Sequence, residues 1–165
     1  MGIKTVNGYT EFVINQINLP DVVIDNIKQY CSFRPHNNKL LYTAVNQWCV
    51  NKKKAKEEYG DIVNWDTVEI TDMSNLFKEE RYFNENIGKW EVRNVRNMRN
   101  MFLYAIRFNR DLHKWDVSNV MDFDNIFAYS GFCKDVGKWN INKAATTRNV
   151  FLYAGVKRYA YAEVR

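Results

Sequence analysis

Two histidines and three cysteines are all that the 165 residues hold of the side chains most used in nucleophilic and metal chemistry. The cysteines, Cys31, Cys49 and Cys133, are odd in number and no two stand at a metal-ligand spacing. They read as buried reduced thiols rather than as a disulfide framework. There is no CxxC, no HExxH and no glycine-rich phosphate loop. His36 lies in a turn beside Pro35, and neither it nor His113 has a serine or cysteine nucleophile at a recognisable spacing, so both read as surface histidines. The expectation is a protein that is not an enzyme, with no catalytic, cofactor-binding or metal-binding residue. Long apolar runs are missing too: none approaches the length of a membrane span. The segment Met1–Asn7 has no continuous apolar stretch of a secretory signal, and Val6 stands where myristoylation needs Ser or Thr. These features point to an intracellular or virion-associated product, not one secreted by a classical signal. Net charge is +5, with +3 over residues 1–60 and +2 over 61–165, so no block of one sign dominates.

What the chain has in quantity is aromatic residues, and they are periodic. Trp65, Trp90, Trp115 and Trp139 are 25, 25 and 24 residues apart. Aligned on them, the position three before holds Ile62, Ile87, Leu112 and Val136. Five after come Ile70, Val95, Val120 and Ala144; eight after, Met73, Met98, Phe123 and Thr147; eleven after, Leu76, Met101, Ile126 and Val150. Position twelve is always phenylalanine: Phe77, Phe102, Phe127 and Phe151. Phe83, Phe108 and Phe132 follow, and the missing residue of the third copy falls between Phe127 and Phe132, in a turn. A fixed period in this range is the signature of a coil that stacks on its neighbours. The structural core is assigned to Trp65, Phe77, Trp90, Phe102, Trp115, Phe127, Trp139 and Phe151.

Positions eight, eleven and twelve have the i, i+3, i+4 spacing of one helical face, with Asp72, Asn97 and Asp122 placed to cap a first turn. The residues around Ile87–Trp90 and Leu112–Trp115 read as short strands. The expected fold class is therefore an α/β repeat: a short leucine-rich-repeat-like solenoid of about four coils with an N-terminal α-helical cap. The expected organisation is 1–60 arm and helical cap, 61–155 four coils, and 156–165 a tail with the alternation of an edge strand. Asp66, Glu91 and Asp116 recur after the first three tryptophans and are expected to bond the backbone of the adjacent coil.

Trp115-Asp116-Val117-Ser118-Asn119-Val120 and Trp65-Asp66-Thr67-Val68-Glu69-Ile70-Thr71-Asp72-Met73-Ser74-Asn75-Leu76-Phe77 resemble the BspA-type leucine-rich repeat, over about 62–155. That resemblance implies a non-catalytic protein–protein interaction or scaffolding module, of a kind found in bacterial surface proteins, in protists and in large DNA viruses. Its most concrete version is a small structural, minor-capsid-type virion component with capsid proteins or itself as partner. In the fourth copy Ala144 and Thr147 are small or polar where larger residues stood.

Before the coils, Pro20 stands where a helix starts, followed by Val22, Val23, Ile24, Ile27, Tyr30 and Cys31 at helical spacing. A second helix is expected from about Lys39 to Tyr59, with Gly60 ending it and Lys54–Glu58 as an i, i+4 pair. Leu19-Pro20, Ile27, Tyr30, Val45 and Trp48 are loosely similar to an F-box, which would imply a ubiquitin-ligase adaptor as partner. Arg93, Arg96 and Arg99 occupy offsets three, six and nine of the second copy, with Arg107 and Arg110 after them. Other copies place Val68, Thr71 and Ser74, or Ser118, Met121 and Asp124, at the first three of these places, so the coil does not require them. They make a candidate strip for a partner protein or, as an alternative, for nucleic acid. Tyr159 and Tyr161 alternate with small residues and are candidates for partner binding at an open edge.

Overall fold

A computed structural model describes residues 32–156. The 1–18 arm, the helix expected after Pro20 and the tail with Tyr159 and Tyr161 lie outside the described residues. Helix α1 spans Asn38–Val50 and helix α2 spans Lys52–Tyr59, with one 3-10 turn after them at Ile62–Asn64. The single helix expected from about Lys39 to Tyr59 is thus two. Asn51 makes the break: its backbone N–H donates to the Gln47 carbonyl (2.8 Å), ending α1, and its side-chain oxygen accepts the Lys54 N–H (3.0 Å), starting α2. A short amide side chain competes for nearby backbone groups, which makes asparagine poor inside a helix and good at its cap. Gly60, at φ 72, terminates α2.

From Trp65 on the chain is made of overlapping turns. The Trp90 N–H donates to the Ile87 carbonyl (3.0 Å), Trp115 to Leu112 (3.1 Å) and Trp139 to Val136 (2.9 Å). Further along the second coil, Met101 donates to Met98, Leu103 to Asn100 and Ala105 to Phe102. This corrects the expected α/β leucine-rich-repeat-like solenoid. Among the described residues there is no strand, and both α-helices precede the coils. Three isolated parallel bridges, Asp72–Asn97, Asn97–Asp122 and Asp122–Thr146, are the nearest thing to a sheet. The physical reason is in the backbone. A helix needs right-handed dihedrals throughout, yet Asn75 and Glu79, Asn100 and Tyr104, Asn125 and Tyr129, and Asn149 and Tyr153 all have φ between 54 and 64. The buried triplet Met73, Leu76 and Phe77 is therefore brought to one side by turns with a left-handed third residue, as in type II turns, where asparagine is well tolerated.

The remaining N–H groups join one coil to the next. Those of Met98, Asn100, Phe102 and Tyr104 donate to the carbonyls of Asp122, Asp124, Ile126 and Ala128, at 2.8–3.1 Å. Met73, Asn75, Phe77 and Glu79 repeat the pattern one coil earlier, and Phe123, Asn125, Phe127 and Tyr129 one coil later. So alternate residues bond forward to the next coil and the ones between bond within their own.

This spacing sets the aromatics in columns. Phe77, Phe102, Phe127 and Phe151 stack at centroid distances of 5.4, 5.6 and 5.6 Å. Phe83, Phe108 and Phe132 form a second column, each 3.9 Å from the first-column ring of its own coil. That distance is unchanged where the third copy is one residue short. Gly131 stands in this shortened turn, and a Cβ there would lie 2.3 Å from the Ile106 carbonyl oxygen, so only glycine fits. Trp65 stacks on Trp90 (6.2 Å) and Trp115 on Trp139 (6.3 Å). Each indole N–H after the first also reaches back a coil: Trp90 donates to the Ile62 carbonyl (2.8 Å), Trp115 to Ile87 (3.3 Å) and Trp139 to Leu112 (3.0 Å). A buried indole N–H without a partner is costly, so these bonds fix the register of one coil on another.

The two ends of the stack differ. At the start, Trp48, Tyr59 and Phe33 pack around Trp65. The Asn38 side chain accepts the N–H groups of Thr71 and Asp72, Tyr42 donates its hydroxyl to the Ser74 carbonyl, and Asp66 N–H donates to Phe33. At the far end Phe151 is 51% exposed, and Leu152 and Tyr153 are exposed beside it. Truncation should therefore cost unequally along one column. Phe102→Ala, which removes a fully buried ring, is expected to lose about 3–5 kcal/mol of unfolding free energy. Phe151→Ala, half exposed, is expected to lose roughly 1 kcal/mol. Urea titrations of the two variants check this, and equal losses would count against a continuous column.

Candidate functional site

The strip read from the sequence at Arg93, Arg96 and Arg99 is exposed, but two of its three charges are already paired. Arg93 is 3.8 Å from the Glu91 carboxylate. Arg99 Nη1 lies 3.2 Å from Asp124 Oδ2 and 3.7 Å from Asp122 Oδ2. Among the described residues, Arg96 alone of the three forms no ion pair. Arg110 donates its Nε–H to the Asn84 carbonyl (2.7 Å), which ties one turn to the previous coil. As a nucleic-acid surface the strip is therefore half neutralised by its own neighbours.

Arg107 has a different environment. Its guanidinium sits 5.1 Å from the centroid of the Tyr82 ring, and its backbone N–H donates to the Arg81 carbonyl (3.1 Å). Tyr82 is 80% exposed. A few residues before Arg107, Tyr104 stacks on Tyr129 (4.8 Å), and Tyr129 packs against Tyr153 (5.2 Å). Tyr104 and Tyr153 are exposed. This tyrosine column is at offset fourteen from each tryptophan, where the first coil has Glu79, and its recurrence in three copies is the signal that would have revealed it.

A second column escaped the sequence reading although it is complete: Asn75, Asn100, Asn125 and Asn149, at offset ten in every copy. Each amide donates to the carbonyl oxygen of the previous one, at 3.0, 3.1 and 3.1 Å. Polar and at no apolar spacing, it leaves no trace in a hydrophobic pattern.

The acidic positions also behave differently from expectation. Asp66 accepts the Val68 N–H (3.1 Å) and Asp116 the Ser118 N–H (3.1 Å), both within their own coil, while Glu91 pairs with Arg93. The side chains that reach the adjacent coil there are Asn94, donating to the Val68 carbonyl, and Asn119, donating to Arg93, both at 2.7 Å. Asp72, Asn97 and Asp122 do accept from N–H groups two residues on, closing turns rather than helices. At α2, Lys56 pairs with Asp61 (2.9 Å) and Gln47 donates to Glu58 (2.7 Å).

Among the described residues His36, His113, Cys49 and Cys133 are not gathered into a centre. Among the described residues no group of three His, Cys, Asp or Glu side chains could hold a metal ion, and no helix is long and apolar enough to cross a membrane. His113 Nδ1 lies 2.6 Å from Asp111 Oδ2 on the surface. Burial, with Glu80 beside it, pushes the Cys49 thiol up to about 12, so it stays protonated and unreactive. Val45 and Trp48 of the F-box-like pattern are buried in the core, and Leu19, Pro20, Ile27 and Tyr30 lie outside the described residues.

Among the described residues the one buried charged side chain is Asp124, 1% exposed. Its Oδ1 accepts the Arg148 backbone N–H (2.8 Å), and its Oδ2 takes Arg148 Nη2 (2.6 Å) and Arg99 Nη1 (3.2 Å). The carboxylate therefore clamps the second, third and fourth coils together.

In comparisons with known proteins, a family model described as a Mycoplasma protein of unknown function, DUF285, matches residues 43–161. No curated protein and no solved structure matches the chain.

The Arg148 side chain, helped by its backbone N–H and opposed by burial, holds the Asp124 carboxyl below the ordinary carboxylate range. A folded value below the unfolded one gives stability that is present above the unfolded value and is lost as pH falls through the folded one. Acidification below about pH 4, the ordinary aspartate range, should therefore loosen the last coil. Hydrogen exchange across 144–155 followed from pH 6 to pH 3 checks this, with Asp124→Asn expected to flatten the dependence.

Proposed function

We propose that this chain, which belongs to the DUF285 family, is a non-enzymatic interaction protein that holds partner proteins against the lateral face of its stacked coils. The observation that carries the reading is Tyr82, a large ring left 80% exposed while Arg107 lies over its face. Tyr104 and Tyr129 extend the aromatic surface across two coils. Tyrosine and arginine are the side chains that most often dominate binding energy at protein interfaces. Rings already ordered against one another lose little further entropy on binding. The same backbone bonds that join the coils hold these side chains at fixed spacing, which suits a scaffold. The resemblance of the repeat to the BspA-type unit supports an interaction role by kinship, an associational argument.

Two narrower readings gain nothing from the side chains described above. The F-box-like version loses Val45 and Trp48 to the core, and the nucleic-acid version loses Arg93 and Arg99 to ion pairs. A minor capsid role has no residue that argues for it over any other protein partner.

The test is a paired affinity capture followed by mass spectrometry, using the wild type and the double variant Tyr82→Ala with Arg107→Ala. Both residues are exposed, so the variant is expected to stay within about 1 kcal/mol of wild-type stability. Partners of the wild type should be lost from the variant. Identical captured sets would refute the lateral patch.

A further inference from the structure

The last coil presents a row of backbone donors that its three predecessors all use. Thr147, Asn149 and Phe151 correspond to Phe123, Asn125 and Phe127, whose N–H groups donate to Thr146, Arg148 and Val150. Among the described residues, the N–H groups of Thr147, Asn149 and Phe151 form no hydrogen bond, and all three residues are exposed. The edge carries mainly donors; its repeated acceptor is one position, held by Thr71, Arg96 and Met121 in the preceding coils, whose carbonyls accept from the coil that follows, and by Ala145 in the last. The carbonyls of Thr146, Arg148, Val150 and Leu152 accept from the third coil, and those of Asn149 and Phe151 accept from Leu152 and Ala154 within their own turns. Two side-chain columns end there as well. Among the described residues, Asn149 donates to Asn125 with no further amide on its own oxygen, and Phe151 stacks on Phe127 (5.6 Å) with no ring beyond it.

We propose that this open end is a docking edge for a turn-forming segment of a partner protein. The segment presents backbone carbonyls at every second residue and carries an asparagine and, two residues on, an aromatic ring. The occupant is specified by the preceding coils, since at each of those interfaces the same donors meet the same three features. A second copy of this chain does not fit. Its own open edge would set donors against donors, and the opposite end of its stack is covered by α1, where Tyr42 occupies the Ser74 carbonyl and Asn38 the N–H groups beside it. An unpaired row of backbone groups is a strong template for an incoming chain. The proposal rests on the reading above only in taking the partner to be a protein, and it uses none of the same residues.

The probe is a fluorophore-labelled synthetic peptide with the sequence of residues 121–132, which plays this part against the second coil in the folded protein. Fluorescence anisotropy against the full chain should show saturable one-to-one binding. Amide resonances of Thr147, Asn149 and Phe151 should exchange rapidly in the free protein and become protected when the peptide binds. Asn149→Ala with Phe151→Ala should weaken binding at least tenfold. Replacing the peptide's own asparagine and the phenylalanine two residues later by alanine should do the same, a change that leaves the protein's folding untouched. Tyr82→Ala with Arg107→Ala should leave peptide binding unchanged, which separates failure here from failure of the lateral patch. The proposal is overturned by any of three results: no binding, amides already protected in the free chain, or sedimentation showing a dimer that Asn149→Ala with Phe151→Ala abolishes.

Discussion

Over one stretch of each of the first three coils, such as Met98 to Tyr104 in the second, every second backbone N–H points at the coil that follows, and those of Met101 and Leu103 between them close turns within the coil. The rest of the molecule depends on that division. It demands a left-handed residue at two places per coil, and those places hold Asn75 and Glu79, Asn100 and Tyr104, Asn125 and Tyr129, and Asn149 and Tyr153. It also brings equivalent residues of neighbouring coils face to face, so that any side chain repeated in sequence becomes a column in space. The phenylalanine, tyrosine and asparagine columns are all consequences of it. Apolar burial supplies most of the driving force, but it is non-directional. The backbone bonds and the indole N–H groups that reach back one coil choose the register.

A stack joined this way is polar along its length. The helical end satisfies the first coil with side-chain groups, Asn38 and Tyr42 standing in for a preceding coil. The other end finishes in donors and half-exposed rings. The same polarity explains why the chain's charge is spent as it is. Arg99 and Arg148 converge on buried Asp124 to hold the last coils, and Arg110 ties one turn to the previous coil. These arginines work inside the stack. Arg107 lies instead over the exposed Tyr82 ring, at the surface of the stack.

Much of the core was legible in the sequence because burial selects large apolar side chains, and their period survives whatever backbone carries them. Trp65, Trp90, Trp115, Trp139 and the phenylalanines at offset twelve are visible without coordinates. The candidate surface was less legible. Arg93, Arg96 and Arg99 look alike in sequence, and only their neighbours in space show that two are neutralised. Tyr82 carries no pattern, because it is not repeated. The asparagine column was present in full but hidden from any search for hydrophobic period.

The sequence by itself determined that four segments of 24 or 25 residues are equivalent and that aromatics fill the space between them. Those properties follow from side-chain identity and spacing alone. Only the tertiary structure decided how the backbone runs between the repeated positions. An i, i+3, i+4 apolar triplet fits a helical turn and a pair of β-turns equally well, since both return the chain to the same side. The choice falls to the turns because their N–H groups find carbonyls on an adjacent coil, a partner that no local pattern contains.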